Sequence, residues 1–196
     1  MGVCSGTCWE LVAGYDVFAN GGYLVQPYLI EKVTDSEGNV LMQAHNAKVG
    51  DGAPRTIDAR NAYVMNSLLH GVAVRGTGRR AGNALKREDM GVKTGTTNDA
   101  LDAGFAGYAG EITAVGWMGY DQPKSLGANA YGAGLVLPVW VNYMKAVLKN
   151  APEYYRPQPA DVVEINGQPF YADQVGETVQ TLGLGETRTT GEVDPI

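Results

Sequence analysis

The chain has 196 residues and a formal net charge of −6. That length suits one domain, or most of one, and can bury about 70% of its unfolded surface. A hydrophobic fraction of 44% and a charged fraction of 18% are those of a globular protein, and the acidic balance without a basic stripe excludes nucleic acid as an expected partner.

From the N-terminus, Thr7-Cys8-Trp9-Glu10 is a capping box and predicts a helix from Cys8 to Asn20, with Leu11, Tyr15 and Phe18 along its apolar side. Gly21-Gly22 ends it. Tyr23 to Thr34, interrupted by Pro27, then a turn over Asp35–Asn39, then Val40–Met42, predict a small surface hairpin. Ile57 to Val74 predicts a second helix, capped by Thr56 or Asp58, with Ala62, Met65, Leu68, Leu69 and Val72 along one side. Gly76 to Gly82 is predicted as a mobile loop; no G-K-[ST] closes it, so it is not a phosphate loop.

Three strands follow, Met90–Thr97, Ala103–Tyr108 and Glu111–Tyr120, predicted to pair antiparallel in that order. Ala109-Gly110 makes the tight connection between the last two. Pro138 is predicted to open a final helix, Val139–Asn150, burying Trp140, Tyr143, Met144, Val147 and Leu148 against the sheet. After Asn150 the prolines 152, 157, 159 and 169 break regular structure, Asp161–Ile165 with Asn166-Gly167 reads as a strand and hairpin turn, and Thr187–Ile196 reads as a frayed end. The domain expectation is a body over 1–150 and an extension over 151–196, in an α+β fold with an antiparallel sheet packed by helices.

No apolar run approaches the roughly 18 residues of a membrane span, and no charged-then-apolar leader follows Met1. Cys4 and Cys8 have C-x₃-C spacing, but the histidines, His45 and His70, are distant in sequence, so neither a metal site nor a cofactor is expected. A Cys4–Cys8 disulfide at the start of a helix would constrain little.

The stretch that carries chemistry is Gly91-Val92-Lys93-Thr94-Gly95-Thr96-Thr97-Asn98-Asp99. An extended peptide can lie along a strand edge and exchange backbone hydrogen bonds with it. Gly95 removes the side chain that would obstruct that approach. Lys93 supplies a positive charge, and the hydroxyls of Thr94 and Thr96 supply charge-assisted hydrogen bonds to a carboxylate. The pattern predicts a site for a short peptide that ends in a carboxylate.

The Lys-Thr-Gly-Thr order resembles one motif element of the serine penicillin-binding proteins and β-lactamases. Asp99 to Tyr108, then Trp117 to Gly127, resemble the end of the transpeptidase domain of the class A, bifunctional penicillin-binding proteins. Tyr15 to Tyr23, Arg60-Asn61-Ala62-Tyr63 and Gly76-Thr77-Gly78 are similar to the same family, and the likeness runs in one order from about Thr7 to Lys149. Gly104 stands where the family commonly has tryptophan, which would loosen the packing there unless an aromatic such as Trp117 fills the space.

The resemblance implies a serine nucleophile in S-x-x-K and a facing S-x-N motif. The four serines, Ser5, Ser36, Ser67 and Ser125, satisfy neither pattern, and no T-x-x-K occurs. The family places both motifs before the region that begins at Thr7. The expectation is therefore the C-terminal part of a transpeptidase domain, an incomplete penicillin-binding-protein/β-lactamase-like fold, inactive alone. By the same resemblance Lys93, Thr94, Gly95 and Thr96 bind the carboxylate of a peptidoglycan stem peptide or a β-lactam. The Thr96 backbone N–H then supplies half of an oxyanion hole. The other partner would be the missing N-terminal part of the same protein, which would also carry the export signal and anchor, placing the parent on the extracytoplasmic, periplasmic face of the bacterial inner membrane. Two alternatives stay open: a naturally short module of this fold that binds peptides or a partner without catalysis, and a β-lactamase-like hydrolase, which the tail after Asn150 and the Gly119–Pro123 run argue against.

Overall fold

The computed structural model describes residues 6–45, 47–128, 130–176, 178–180 and 187–189. Cys4 and Ser5 lie outside them. Helix α1 (Cys8–Ala19) begins where the capping box puts it. The Thr7 hydroxyl accepts the Glu10 N–H at 3.2 Å, and the Glu10 carboxylate accepts the Thr7 N–H at 2.7 Å. Two donors that a helix start leaves unpaired are thereby satisfied. Of the predicted apolar side, Tyr15 and Phe18 are half-buried and Leu11 is exposed, while Val17, not among those residues, is buried.

Strands β1 (Lys32–Thr34) and β2 (Val40–Gln43) form the expected surface hairpin. Its turn is organised by Asp35, whose carboxylate accepts from the Glu37 and Asn39 backbone N–H groups and the Asn39 side chain. Helix α2 (Ala59–Val74) is capped by Asp58 rather than Thr56. It buries Ala62, Leu69 and Ala73, whereas Leu68, predicted on the packed side, is 61% exposed.

The stretch read as a mobile loop divides in two. Only 75–78 is loop; α3 (Arg79–Leu85) follows at once. Glycines 78 and 82 disguise the helical period in the sequence. Ala81 is fully buried, with Ala84 and Leu85 packed beside it, and that burial fixes the short helix.

Strands β3 (Gly91–Thr96), β4 (Asp102–Ala109) and β5 (Ile112–Gly119) form one antiparallel sheet in the order β3-β4-β5. Helix α4 (Gly132–Val147) packs on it but starts well before the predicted Pro138, which sits inside the helix. Pro138 forgoes a helical hydrogen bond. Val136 and Leu137, both buried ahead of it, hold the first turns against the sheet despite that cost. Trp140, Met144 and Leu148 are buried as expected, whereas Tyr143 and Val147 are exposed.

Strand alternation divides the sheet into two faces. Met90, Val92, Phe105 and Ala109 face α3 and α4 and form the core with Val136, Trp140 and Met144. Phe105 and Trp140 meet with ring centroids 5.0 Å apart. The opposite face carries Gly91, Lys93, Gly95, Gly104, Ala106, Tyr108, Thr113, Val115 and Trp117. Its lower end is tied to the first two helices: the Tyr108 hydroxyl donates to Asn66 of α2, and the Thr113 hydroxyl donates to Asp16 of α1 at 2.9 Å.

The first compact unit runs to Arg156. Its last residues are fastened by Asp89, whose side chain is 0% exposed. The carboxylate takes a two-point contact from Arg87, at 2.9 and 2.7 Å, and N–H bonds from Gly110 and Tyr154. Arg87 also donates to the carbonyls of Ala151 and Pro152. Burial pushes the Asp89 carboxyl up, and the Arg87 bonds with the two N–H donors outweigh it, leaving the group below the usual aspartate range.

The second unit, from Pro157, holds two hairpins. In the first, β6 (Val162–Ile165) pairs with β7 (Gln168–Tyr171) through Asn166-Gly167, with φ of 52° and 74°. Both left-handed values suit that dipeptide. In the second, β8 (Thr178–Gln180) pairs with β9 (Thr187–Thr189). The end read as frayed thus contains a strand at 187–189; 190–196 lie outside the described residues.

Replacing Asp89 with asparagine leaves Arg87 buried without its counter-charge and should cost about 3 kcal/mol of stability, measured by urea unfolding at neutral pH. The folded-state carboxyl binds a proton less readily than the unfolded chain's, so its contribution is complete above the ordinary value of about 3.9 and fades as pH falls through the lower folded value. Asp89→Asn should therefore also flatten the acid limb of the stability curve.

Candidate active-site wall

β3 is an outer strand, and its edge is what the motif offers. The Thr97 N–H donates to the Asp102 carbonyl at 3.1 Å. By alternation, the backbone groups of Gly95 and Lys93 turn toward β4, and those of Thr94 and Thr96 turn outward. The edge therefore presents N–H and C=O groups at Thr94 and Thr96, with the bare Gly95 between them.

The three polar side chains reach that edge from different sides. Lys93 projects on the face that α1 and α2 pack against and is exposed; its Nζ donates to the Thr94 carbonyl at 2.9 Å. Among the described residues no carboxylate is paired with it. Thr94 projects on the opposite face, and its Oγ1 lies 2.8 Å from Oγ1 of Thr77. Thr96 projects on that same face, and its Oγ1 accepts the Gly132 N–H at 3.2 Å. That bond leaves the hydroxyl proton of Thr96 available to a further acceptor.

The Thr96–Gly132 bond marks where the head of α4 rests on the sheet. A Cβ on Gly132 would stand 2.2 Å from the Gly104 carbonyl oxygen and 2.7 Å from that of Gly95. Helix backbone and strand backbone touch there, and only glycine admits the contact. Sequence reasoning missed Gly132, because a glycine at a helix start has many innocuous explanations.

On the other face lies a groove of about 380 Å³, lined by Thr7, Leu11 and Tyr15 of the first helix and by Lys93, Gly104 and Trp117 of the sheet, among others. Gly104 leaves it open. A Cβ there would meet nothing nearer than 3.8 Å, so packing does not demand glycine. Trp117, opposite Gly104 in register, does not fill the gap either. Its ring leans along its own strand over Gly119 and donates from Nε1 to Asp102 at 3.0 Å, leaving the residue 49% exposed.

Beyond Thr96 the chain turns sharply. Asp99 and Ala100 have φ of 57° and 51°, uncommon values for residues with a Cβ. The loop after β5 braces the turn: Ser125 Oγ donates to the Asp99 carbonyl at 2.8 Å, and the Leu126 N–H donates to the Ala100 carbonyl at 2.9 Å. Ser125 is thus occupied as a structural brace. His70 is likewise a tie, with Nδ1 3.1 Å from the Met90 carbonyl and Nε2 3.4 Å from Glu88. Among the described residues no group of three His, Cys, Asp or Glu side chains is placed to hold a metal ion, and no helix is long and apolar enough to cross a membrane.

Replacing Gly132 with alanine should push the head of α4 off β3 and β4. The expected cost is about 2 kcal/mol in a denaturant melt, with amide exchange at residue 132, whose N–H bonds Thr96, speeded more than at Tyr108.

Comparison with known proteins agrees with this architecture. Residues 2–135 match the penicillin binding protein transpeptidase domain. Penicillin-binding protein 1A of Neisseria lactamica is 41% identical over 175 residues, which are 89% of this chain and 22% of that protein. Penicillin-binding protein 1A of Pseudomonas aeruginosa is 36% identical, over 86% of this chain and 26% of the relative. The crystal structure of penicillin-binding protein 1A from Haemophilus influenzae superposes with a TM-score of 0.75 at 27% identity, covering 100% of this chain and 33% of that one. The chain thus spans only a minor part of the length of these relatives. A Lys-Thr-Gly-Thr strand at a sheet's outer edge, set in a sequence that matches over most of its length, makes this chain a member of the penicillin-binding protein transpeptidase family.

Proposed function

We propose that this chain is one wall of a peptidoglycan D,D-transpeptidase, the wall that holds the substrate. The observation that carries the reading is the free edge of β3 with Lys93, Thr94, Gly95 and Thr96 on it, in a chain of this family. Lys93, Thr94 and Thr96 bind the terminal carboxylate of a stem peptide, or that of a β-lactam, through charge-assisted hydrogen bonds. The outward backbone groups of Thr94 and Thr96 align the peptide as an added strand. The Thr96 N–H donates to the oxyanion of the tetrahedral intermediate, and a second donor comes from the nucleophile's own backbone.

The nucleophile is a serine on the remainder of the protein, the chain's principal partner. Its Oγ attacks the carbonyl of the D-alanyl-D-alanine bond and releases the terminal D-alanine. An amine of a neighbouring stem peptide then takes the acyl group and frees the serine. Such a substrate lies outside the cytoplasm, so the parent works at the periplasmic face of the inner membrane. Residues 1–150 belong to the catalytic domain in this reading, and 151–196 form an extension to it.

Alone, this chain should form no covalent adduct with a fluorescent penicillin. No serine in it has a lysine at the activating spacing, and losing one oxyanion donor by itself costs on the order of 10²–10³ in rate. Non-covalent binding should also be weak, since half a groove buries too little ligand to offset the entropy of association. Supplying the N-terminal remainder, in one chain or as a complementing fragment, should restore labelling. Lys93→Ala should then cut it by about tenfold or more, and Lys124→Ala should leave it unchanged. A stable adduct on the isolated chain, mapped by mass spectrometry to Ser5, Ser36, Ser67 or Ser125, would overturn the fragment reading and place a different nucleophile within this chain.

A further inference from the structure

The Gly76-Thr77-Gly78 loop is a motif that the proposed chemistry leaves without a task. It is firmly placed. Gly76 and Gly78 donate to the Val72 carbonyl at 3.2 and 3.1 Å. A Cβ on Gly76 would stand 2.9 Å from Val72 Cα, and one on Gly78 would stand 2.5 Å from Val92 Cγ2. Two glycines therefore let the loop lie flush on the end of α2 and against β3. The helix before it touches one face of the sheet, where Leu69 meets Gly91, and the helix after it joins the core on the other face through Ala81. To pass between them the loop must cross the outer edge of β3, and it does so level with Val92.

Two consequences follow for a ligand on that edge. The open edge begins at Thr94 and runs toward Thr96, so a peptide docked there must end at Thr77. Moreover, the hydroxyls of Thr77 and Thr94, 2.8 Å apart, use one proton for their mutual bond. The other proton stays free for a further acceptor, whichever hydroxyl donates. A free O–H at the edge that the Lys93 ammonium also reaches, through its bond to the Thr94 carbonyl, suits a terminal carboxylate.

On the reading given under Proposed function, we propose that Thr77 is a positioning residue for carboxylate recognition. Its hydroxyl orients that of Thr94, and its loop closes the groove so that only a chain terminus fits. The same geometry makes Thr77 a determinant of specificity for C-terminal over internal peptide bonds.

The test is acylation of the complete transpeptidase chain carrying this segment, followed with a fluorescent penicillin and with its methyl ester. Thr77→Val keeps the side-chain shape and removes the hydroxyl. It should lower the second-order rate constant for the free carboxylate by about tenfold, chiefly through weaker binding, while Thr77→Ser restores most of the loss. With the ester, wild type and Thr77→Val should react alike, which also shows the variant to be folded. Equal labelling of wild type and Thr77→Val by the carboxylate probe overturns the proposal. So does an equal loss with carboxylate and ester, which marks a merely structural threonine. If Lys93→Ala is slow in the same assay while Thr77→Val is normal, the inference alone fails. If the wild type is not labelled, or Lys93→Ala labels normally, the underlying reading fails with it.

Discussion

An outer strand has three surfaces, and β3 has to use all of them at once. One face must be apolar enough to build a core, one face must border a groove, and the edge must stay unpaired. The residues of β3 separate along those demands. Met90, at its start, and Val92 go into the core. Lys93 goes to the groove, and Gly95 clears the middle of the edge. Thr94 and Thr96 fall on the core side, where a hydrophobic residue would be the simpler choice. Each instead finds a hydroxyl or an N–H there, Thr77 for one and Gly132 for the other. Thr94 is half-buried and Thr96 exposed, and these bonds fix their hydroxyls beside the edge. The site and its supports are therefore one hydrogen-bonded unit.

The core lies almost wholly on the α4 side of the sheet. This asymmetry leaves the Lys93 side room for a groove between the sheet and the first turns of α1, with the helices tied down at the lower end. There the ties are polar and specific. Asn66 accepts from Tyr108 and donates to the carbonyls of Phe18 and Ala62. Arg156 stacks over the Tyr108 ring at 5.0 Å and donates to the Ala19 carbonyl. Burial raises the Tyr108 hydroxyl's pKa, keeping it a neutral donor at any physiological pH.

Much of this was legible in the sequence, where local chemistry decides local structure. The capping box at Thr7 and Glu10, the turn at Asn166-Gly167 and the three alternating strands are all patterns whose cause lies within a few residues. The start of α4 was not legible, because Pro138 is a strong local signal for a helix opening and the deciding factor is distant: Val136 and Leu137 against the sheet. The short α3 escaped for a related reason, since glycines hide a helix that only the burial of Ala81 explains. For the candidate site, Lys93 to Thr96 stood out by their order. Thr77 was visible only as part of a loop, because its pairing with Thr94 spans the whole of α3 and is a property of the fold. The bare backbone at Gly132 gave no signal of its own.

The far side of the sheet has its own consequence. β5 closes the three-stranded sheet with eight residues, Ile112–Gly119, that include no charge and no proline. Among the described residues no further strand pairs with it. Protein edges of that length are ordinarily blunted by lysine, proline or a bulge. Left as it is, this one is a template for another strand, and in concentrated solution the nearest template is a second copy of itself. Handling the isolated chain is therefore a problem of colloidal stability as much as of folding: dilution weakens such pairing by mass action, and a charge placed on that edge opposes it at any concentration.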